Sequence, residues 1–425
     1  MRKKASLTIE IYDLQYFLMG VIVCASCIQV PYLTAVYKYV SFYRLIQIGI
    51  VFLGVYLSFS KYSSGGFLES KTNRYVLLYF LIYIVSCVVN RNTLNVIIQM
   101  MLRVIAFALL IDLSKNGHFM NVVAGSMFML VLITGANTLS SILYPNALYA
   151  NNAGRYVCFL LGEDNASINI YLLAVCVSAV YTYLCRKKMT GWLLLTVINI
   201  LHFSLSRNIG GGIICSATLV VLYLAYLIVN IKLKLSHVML FMIVFFFLFI
   251  ILQELSIFAN LIINYLHRDL TLSSRTTLWK QAIALFKDKP LLGYGSYYSS
   301  ALANTLYGGR FIWTVITPHN TYLANLIAGG VSLFAMFFFC MFHMTKSFDR
   351  QMFVVVDHEI LRTVIAIAWV AILLHAQIEG SDTECILIGY LFTNGAIENT
   401  LKIMDDNQNV NEIADSMKGM SEEQA

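Results

Sequence analysis

Charge is what this chain lacks. Asp, Glu, Lys and Arg make up 12% of its 425 residues, against 59% hydrophobic side chains. That is about half the charged share of a soluble domain, so an ordinary soluble fold is excluded and the sequence reads as a polytopic membrane protein. The nine cysteines are scattered through apolar runs, among them Cys24, Cys27, Cys176, Cys215 and Cys340. Their spacing fits no metal site, and in buried helices they serve as small hydrophobes. There is no GxxxxGK phosphate loop, no HExxH and no GxSxG, and the Asp405–Asp406 pair falls in the C-terminal tail. Neither a nucleotide-sugar site nor a metal site is therefore expected on the outer face. No internal repeat marks an inverted-repeat transporter. No small-residue cleavage site follows the charged MRKK start, so the first apolar run is expected to be retained.

Apolar length is what the chain has. A bilayer crossing takes about 20 mostly apolar residues, and about twelve such runs occur, roughly at 12–33, 43–59, 75–90, 94–112, 119–144, 167–185, 190–206, 209–229, 236–255, 319–344, 358–379 and 384–401. The fold expected is all-α, a polytopic membrane helix bundle of about twelve transmembrane helices. It divides into nine spans over 1–255, a long external loop with an amphipathic helix over 256–318, three spans over 319–402 and a disordered cytoplasmic tail over 403–425. The cations alternate accordingly: Lys3, Lys71, Lys115, Lys187, Lys232 and Lys346 mark every second gap, which the positive-inside rule places in the cytoplasm. The net charge of +7 is largely absorbed by these loops, which argues against nucleic acid as a partner.

The polar insert from Ser273 to Asn325 needs more than packing to explain it. Ser273 or Ser274 can cap a helix whose apolar positions Leu278, Ala282, Leu285 and Phe286 recur at helical spacing. Arg275 lies in its first turn, where free N–H groups and the helix dipole already favour an anion. A surface helix with a solvated Arg is the competing reading. His319, beside Asn320 at the expected outer mouth of the tenth span, has the side chain best suited to take a proton near neutral pH; a structural histidine explains it as well. Arg207, in FSLSRNIGGG, has almost no loop around it, and a charge at such depth is costly unless it is paired or lines a wet cavity. Snorkelling to the headgroups is the alternative. Arg103, in mid-span, requires a partner by the same logic. Arg155, Asn165, Glu379 and Asp382 are weaker candidates, and Tyr294, Tyr297, Tyr298, Tyr307 and Trp313 suit either sugar stacking or an interfacial aromatic belt.

Three elements together resemble one family, the bacterial O-antigen polymerase and O-antigen ligase superfamily. They are SRN at 206–208, SSRTTLWKQAIALFKDKPLLGYG at 273–295 and PHNTYLANLIAGG at 318–330. The resemblance implies a donor glycan carried on undecaprenyl diphosphate, an enzyme in the bacterial cytoplasmic membrane with its site on the extracytoplasmic face, and no cofactor or metal. On it, Arg207 and Arg275 hold the donor diphosphate and His319 acts near the acceptor hydroxyl, with Arg155, Asn320, Trp279, Tyr294 and Glu379 as substrate-binding candidates. The HNTYLANLIAGG element is more similar to polymerases of O-antigen or capsule repeat units than to ligases. A ligase is the first alternative and a polysaccharide exporter or flippase the second. A chain-length regulator and a flippase are the further partners such a polymerase implies.

Overall fold

The computed structural model describes residues 2–28, 30–37, 40–61, 66–115, 117–150, 157–251, 275–307, 316–350, 356–380 and 382–400. Arg155, Ser273, Ser274, Trp313 and the 403–425 tail lie outside the described residues. Helix α1 (Arg2–Cys27) and the short α2 (Pro31–Tyr37) lead to α3 (Val40–Lys61), the single turn α4 (Gly66–Glu69), α5 (Lys71–Val89), α6 (Asn95–Ser114) and α7 (Phe119–Leu143). A small antiparallel ribbon of β1 (Tyr149–Ala150), β2 (Val157–Phe159) and β3 (Gly162–Glu163) follows. Next come α8 (Asp164–Leu184), α9 (Gly191–Arg207), α10 (Gly210–Val229) and α11 (Leu235–Phe245), the last continued by a π-helical turn to Ile251. The chain ends in α12 (Arg275–Asp288), α13 (Tyr298–Tyr307), α14 (Thr321–Arg350), α15 (Val356–Ile378) and a helix α16 over 383–400.

The molecule is thus the all-α polytopic bundle that its composition predicts. Among the described residues, seven helices are long and apolar enough to cross a membrane, with shorter apolar helices at Asp13–Cys27, Phe42–Tyr56 and Leu235–Leu248. Helices satisfy every mid-segment backbone group internally, which is why apolar runs of this length fold this way in lipid. α8 and α15 sit at the centre. Cys176 faces Thr393 across α16, Trp369 donates to the same hydroxyl at 3.0 Å, and the apolar side chains from Val175 to Val177 and from Val364 to Trp369 are buried. Large apolar residues such as Phe52, Leu81 and Val221 point outward instead.

One expected span is not straight. The backbone leaves helical geometry at Gly329 and Gly330, the latter at φ 63°, ψ −161°. In a continuous helix Tyr322 and Phe338 would stand about 24 Å apart, yet their rings stack with centroids 5.4 Å apart, and Tyr322 also meets Phe337 at 5.8 Å. The run expected to span from 319 to 344 is therefore a hairpin: a short leg over 321–328, a reversal at the glycine pair, and a long leg over 331–350. The carbonyls freed at the reversal find new donors. Ser86 Oγ donates to the Ala328 carbonyl at 2.8 Å and Tyr294 N to the Ile327 carbonyl at 2.8 Å. In return Val331 N donates to the Pro290 carbonyl at 2.7 Å, so the loop that ends α12 caps the hairpin tip. Asn325 ties the short leg to the bundle, accepting from Tyr79 at 2.7 Å and donating to Thr383 at 3.2 Å.

Candidate active site

The hairpin places His319 inside the bundle rather than at the mouth of a span. The short leg is about 12 Å long at 1.5 Å per residue, and His319 precedes its start. Helix α12 runs alongside in the same sense. Its beginning is fixed where Trp279 Nε1 donates to the Pro318 carbonyl at 3.0 Å, and its end where Pro290 meets the tip. Trp279, Ala282 and Leu285 form its buried face; of the apolar positions expected from the spacing, Ala282 and Leu285 lie in it, while Leu278 and Phe286 are half-buried beside it.

Glu379, just past α15, is the residue around which the site closes. Its carboxylate takes Arg275 Nη2 at 2.6 Å through Oε1, while Oε2 lies 3.8 Å from His319 Nδ1. Arg275 Nη1 also donates to the Ile378 carbonyl. Glu379 is 7% exposed, against 21% for Arg275 and 39% for His319, so a buried carboxylate holds the guanidinium and stands near the imidazole, and both of those groups reach open space. Its Oε2 makes no hydrogen bond among the described residues. His319 adopts a left-handed backbone at φ 48°, and the turn at Gly380, φ 80°, passes so close that an added Cβ would lie 3.1 Å from Asn320 N. Burial lowers the His319 pKa below its ordinary value and the Arg275 guanidinium adds to this, while the Glu379 carboxylate opposes both. The imidazole is therefore neutral near pH 7 and able to accept a proton.

Arg207 belongs to the same end of the bundle but has its own setting. It ends α9, and α10 starts three residues later. Within α10, Gly211 packs so tightly on Glu379 that a Cβ there would sit 2.2 Å from the Glu379 Cγ. Both Arg207 Nη atoms donate to the Pro145 carbonyl at 2.9 Å, Nε stands 3.7 Å from Asp164 Oδ2, and the guanidinium lies over the Phe159 ring at 4.2 Å. The need for a partner, inferred from its depth, is met by Asp164, which sequence alone did not single out.

Several expected substrate-binding residues are placed differently. Asn320 is 1% exposed; it donates to the Gln377 carbonyl at 2.9 Å and accepts from Leu323 N, capping the short leg rather than facing a ligand. Trp279, 3% exposed, holds Pro318 and so positions His319 from behind. Tyr294 stands at the far end of α12, about 20 Å from Arg275 by helix length. There its hydroxyl donates to Asp288 and Lys289 lies over its ring. Arg103 has a partner after all, Glu384, at 2.6 Å. A gap of 281 positions between the two hides that pair from any local pattern.

Fold and site together define a multi-pass α-helical membrane protein with a cluster of guanidinium, carboxylate and imidazole recessed at one end. Residues 191–338 match the family model described as O-antigen ligase, a segment that contains Arg207, Arg275 and His319. Over that segment, about a third of its length, the chain is similar to the O-antigen ligase family, which supports the resemblance to the O-antigen ligase and polymerase superfamily. No curated protein matches it.

Proposed function

We propose that this protein is a glycosyl-transferring polymerase that joins undecaprenyl-diphosphate-linked oligosaccharide units at the extracytoplasmic face of the bacterial cytoplasmic membrane. The observation that carries the reading is the Glu379 carboxylate shared between Arg275 and His319. It sets a cation suited to a diphosphate beside a neutral imidazole suited to a hydroxyl proton, and glycosyl transfer from a lipid diphosphate needs both.

In this reading His319 takes the proton of an acceptor sugar hydroxyl through Nε2, since Nδ1 faces Glu379. The hydroxyl oxygen bonds to the donor's anomeric carbon, the bond from that carbon to the phosphate oxygen breaks, and the lipid diphosphate leaves with the electron pair. Arg275 and Arg207 neutralise its growing charge, for which planar bidentate donors are well shaped. The donor diphosphate takes the Arg275 fork in exchange for Glu379, whose freed carboxylate then steadies the imidazolium.

The test is reconstitution. Purified protein given a lipid-diphosphate oligosaccharide, with no nucleotide supplied, is expected to make a ladder of longer glycans. Arg275→Ala and His319→Ala are expected to lose turnover while remaining folded, and near-normal turnover in either removes that residue from the mechanism. The description of the matching family favours a second reading, a ligase. Lipid diphosphate released only when a different acceptor, such as a lipid core or a wall glycan, is added would replace the first reading with that one.

A further inference from the structure

The turn that carries Glu379 continues to a second polar cluster that the transfer chemistry does not use. Glu384, five residues on, pairs with Arg103 of α6 at 2.6 Å, and both side chains retain access, at 17% and 19%. Asp382 between them is exposed, and the Arg103 charge reaches it as well. From α8, the Asn169 amide hydrogen-bonds Asp382, although Asn169 is itself 4% exposed. Its Oδ1 has no partner among the described residues, and neither has Arg103 Nε. Tyr298, at the start of α13, lies within electrostatic reach of Asp382 and is part-exposed. Five side chains from four separate parts of the chain thus gather into one partly accessible cluster, with buried hydrogen-bonding capacity left open.

The charge balance says what can bind there. Arg103, the one guanidinium among the described side chains of the cluster, is already paired with Glu384, so the cluster offers no free cation to a diphosphate. Carboxylates accept from hydroxyls, a guanidinium and an amide bridge neighbouring oxygens, and a tyrosine ring offers an apolar face. That combination fits a neutral or amino sugar. Gly380, two residues before Asp382, packs so closely on His319 that an added Cβ would lie 3.4 Å from its Cα, so the cluster follows directly on the turn that meets His319.

We infer that Arg103, Asn169, Tyr298, Asp382 and Glu384 form a saccharide subsite that holds the acceptor glycan next to the turn carrying Glu379. The inference rests on the glycan-transfer reading, and its test separates the two. Short oligosaccharides cut from the source cell's own surface glycan, and inorganic pyrophosphate, are titrated separately into the purified full-length protein in detergent. Asp382→Asn and Glu384→Gln, each first shown to keep the wild-type unfolding midpoint, remove charge-assisted hydrogen bonds to hydroxyls. Each is expected to weaken oligosaccharide binding about tenfold or more and to leave pyrophosphate binding unchanged. Equal oligosaccharide affinity in Asp382→Asn and wild type overturns the subsite, as does loss of pyrophosphate binding in that variant. Wild type that binds pyrophosphate but no oligosaccharide also overturns it and leaves the donor site standing. Wild type that binds neither probe brings down the glycan-transfer reading itself.

Discussion

Gly330→Ala is the sharpest test of how His319 is placed. At φ 63°, ψ −161° the residue occupies a region that is essentially glycine-only. An added Cβ would lie 2.3 Å from the Leu291 carbonyl carbon and 2.6 Å from Leu292 N, both backbone atoms of the capping loop. The backbone conformation costs about 1–3 kcal/mol and relieving the overlap about as much again, so about 2–6 kcal/mol in all. With an unfolding entropy of roughly 2 cal/mol/K per residue, a chain of 425 residues loses about 1 °C for each kcal/mol. The unfolding midpoint in detergent is thus expected to fall by about 2–6 °C. Glycan transfer should fall with it, because the loop that must move also anchors α12. Gly49→Ala, in α3 with nothing within 4 Å of the new methyl, serves as the control and should leave both readouts intact. If Gly330→Ala matches that control in midpoint and rate, the hairpin does not set the site.

Two further outcomes concern the cluster itself. The acid limb of the rate–pH profile should lie below the ordinary histidine value of about 6.5, because burial and Arg275 hold the His319 pKa down and the neutral form is the active one. Glu379→Gln removes the opposing carboxylate and should move that limb to still lower pH. A wild-type limb above 6.5, or a limb that rises in the variant, contradicts the base role. Arg207→Lys keeps the charge but loses the two-pronged bond to Pro145 and much of the contact with Phe159. A loss of turnover of about 10- to 100-fold without unfolding is expected, and unchanged turnover would show that charge alone suffices.

The sequence foretold elements whose signal is local. The apolar spacing of Leu278, Ala282 and Leu285 marked α12, and the depth of Arg207 and Arg103 showed that each needed company. What it hid was non-local. Gly329–Gly330 sits in an unbroken apolar run, where a glycine pair reads as close helix packing, so nothing there announced a reversal. Asn320 and Trp279 looked like ligand residues because they flank His319 and Arg275; burial assigns them to support. Glu379 stood out only as an acidic residue at a span end, and its central position depends on Gly211, far away in the chain, having no side chain.

The two parallel helices fastened at both ends act as a ruler. Because α12 meets Pro318 at its first turn and the hairpin tip at its last, the gap between guanidinium and imidazole is fixed by residue count and not by the give of a loop. One residue inserted near the start of α12 would swing Arg275 by about 100° around the helix axis and turn it away from its carboxylate, with no group in the cluster altered.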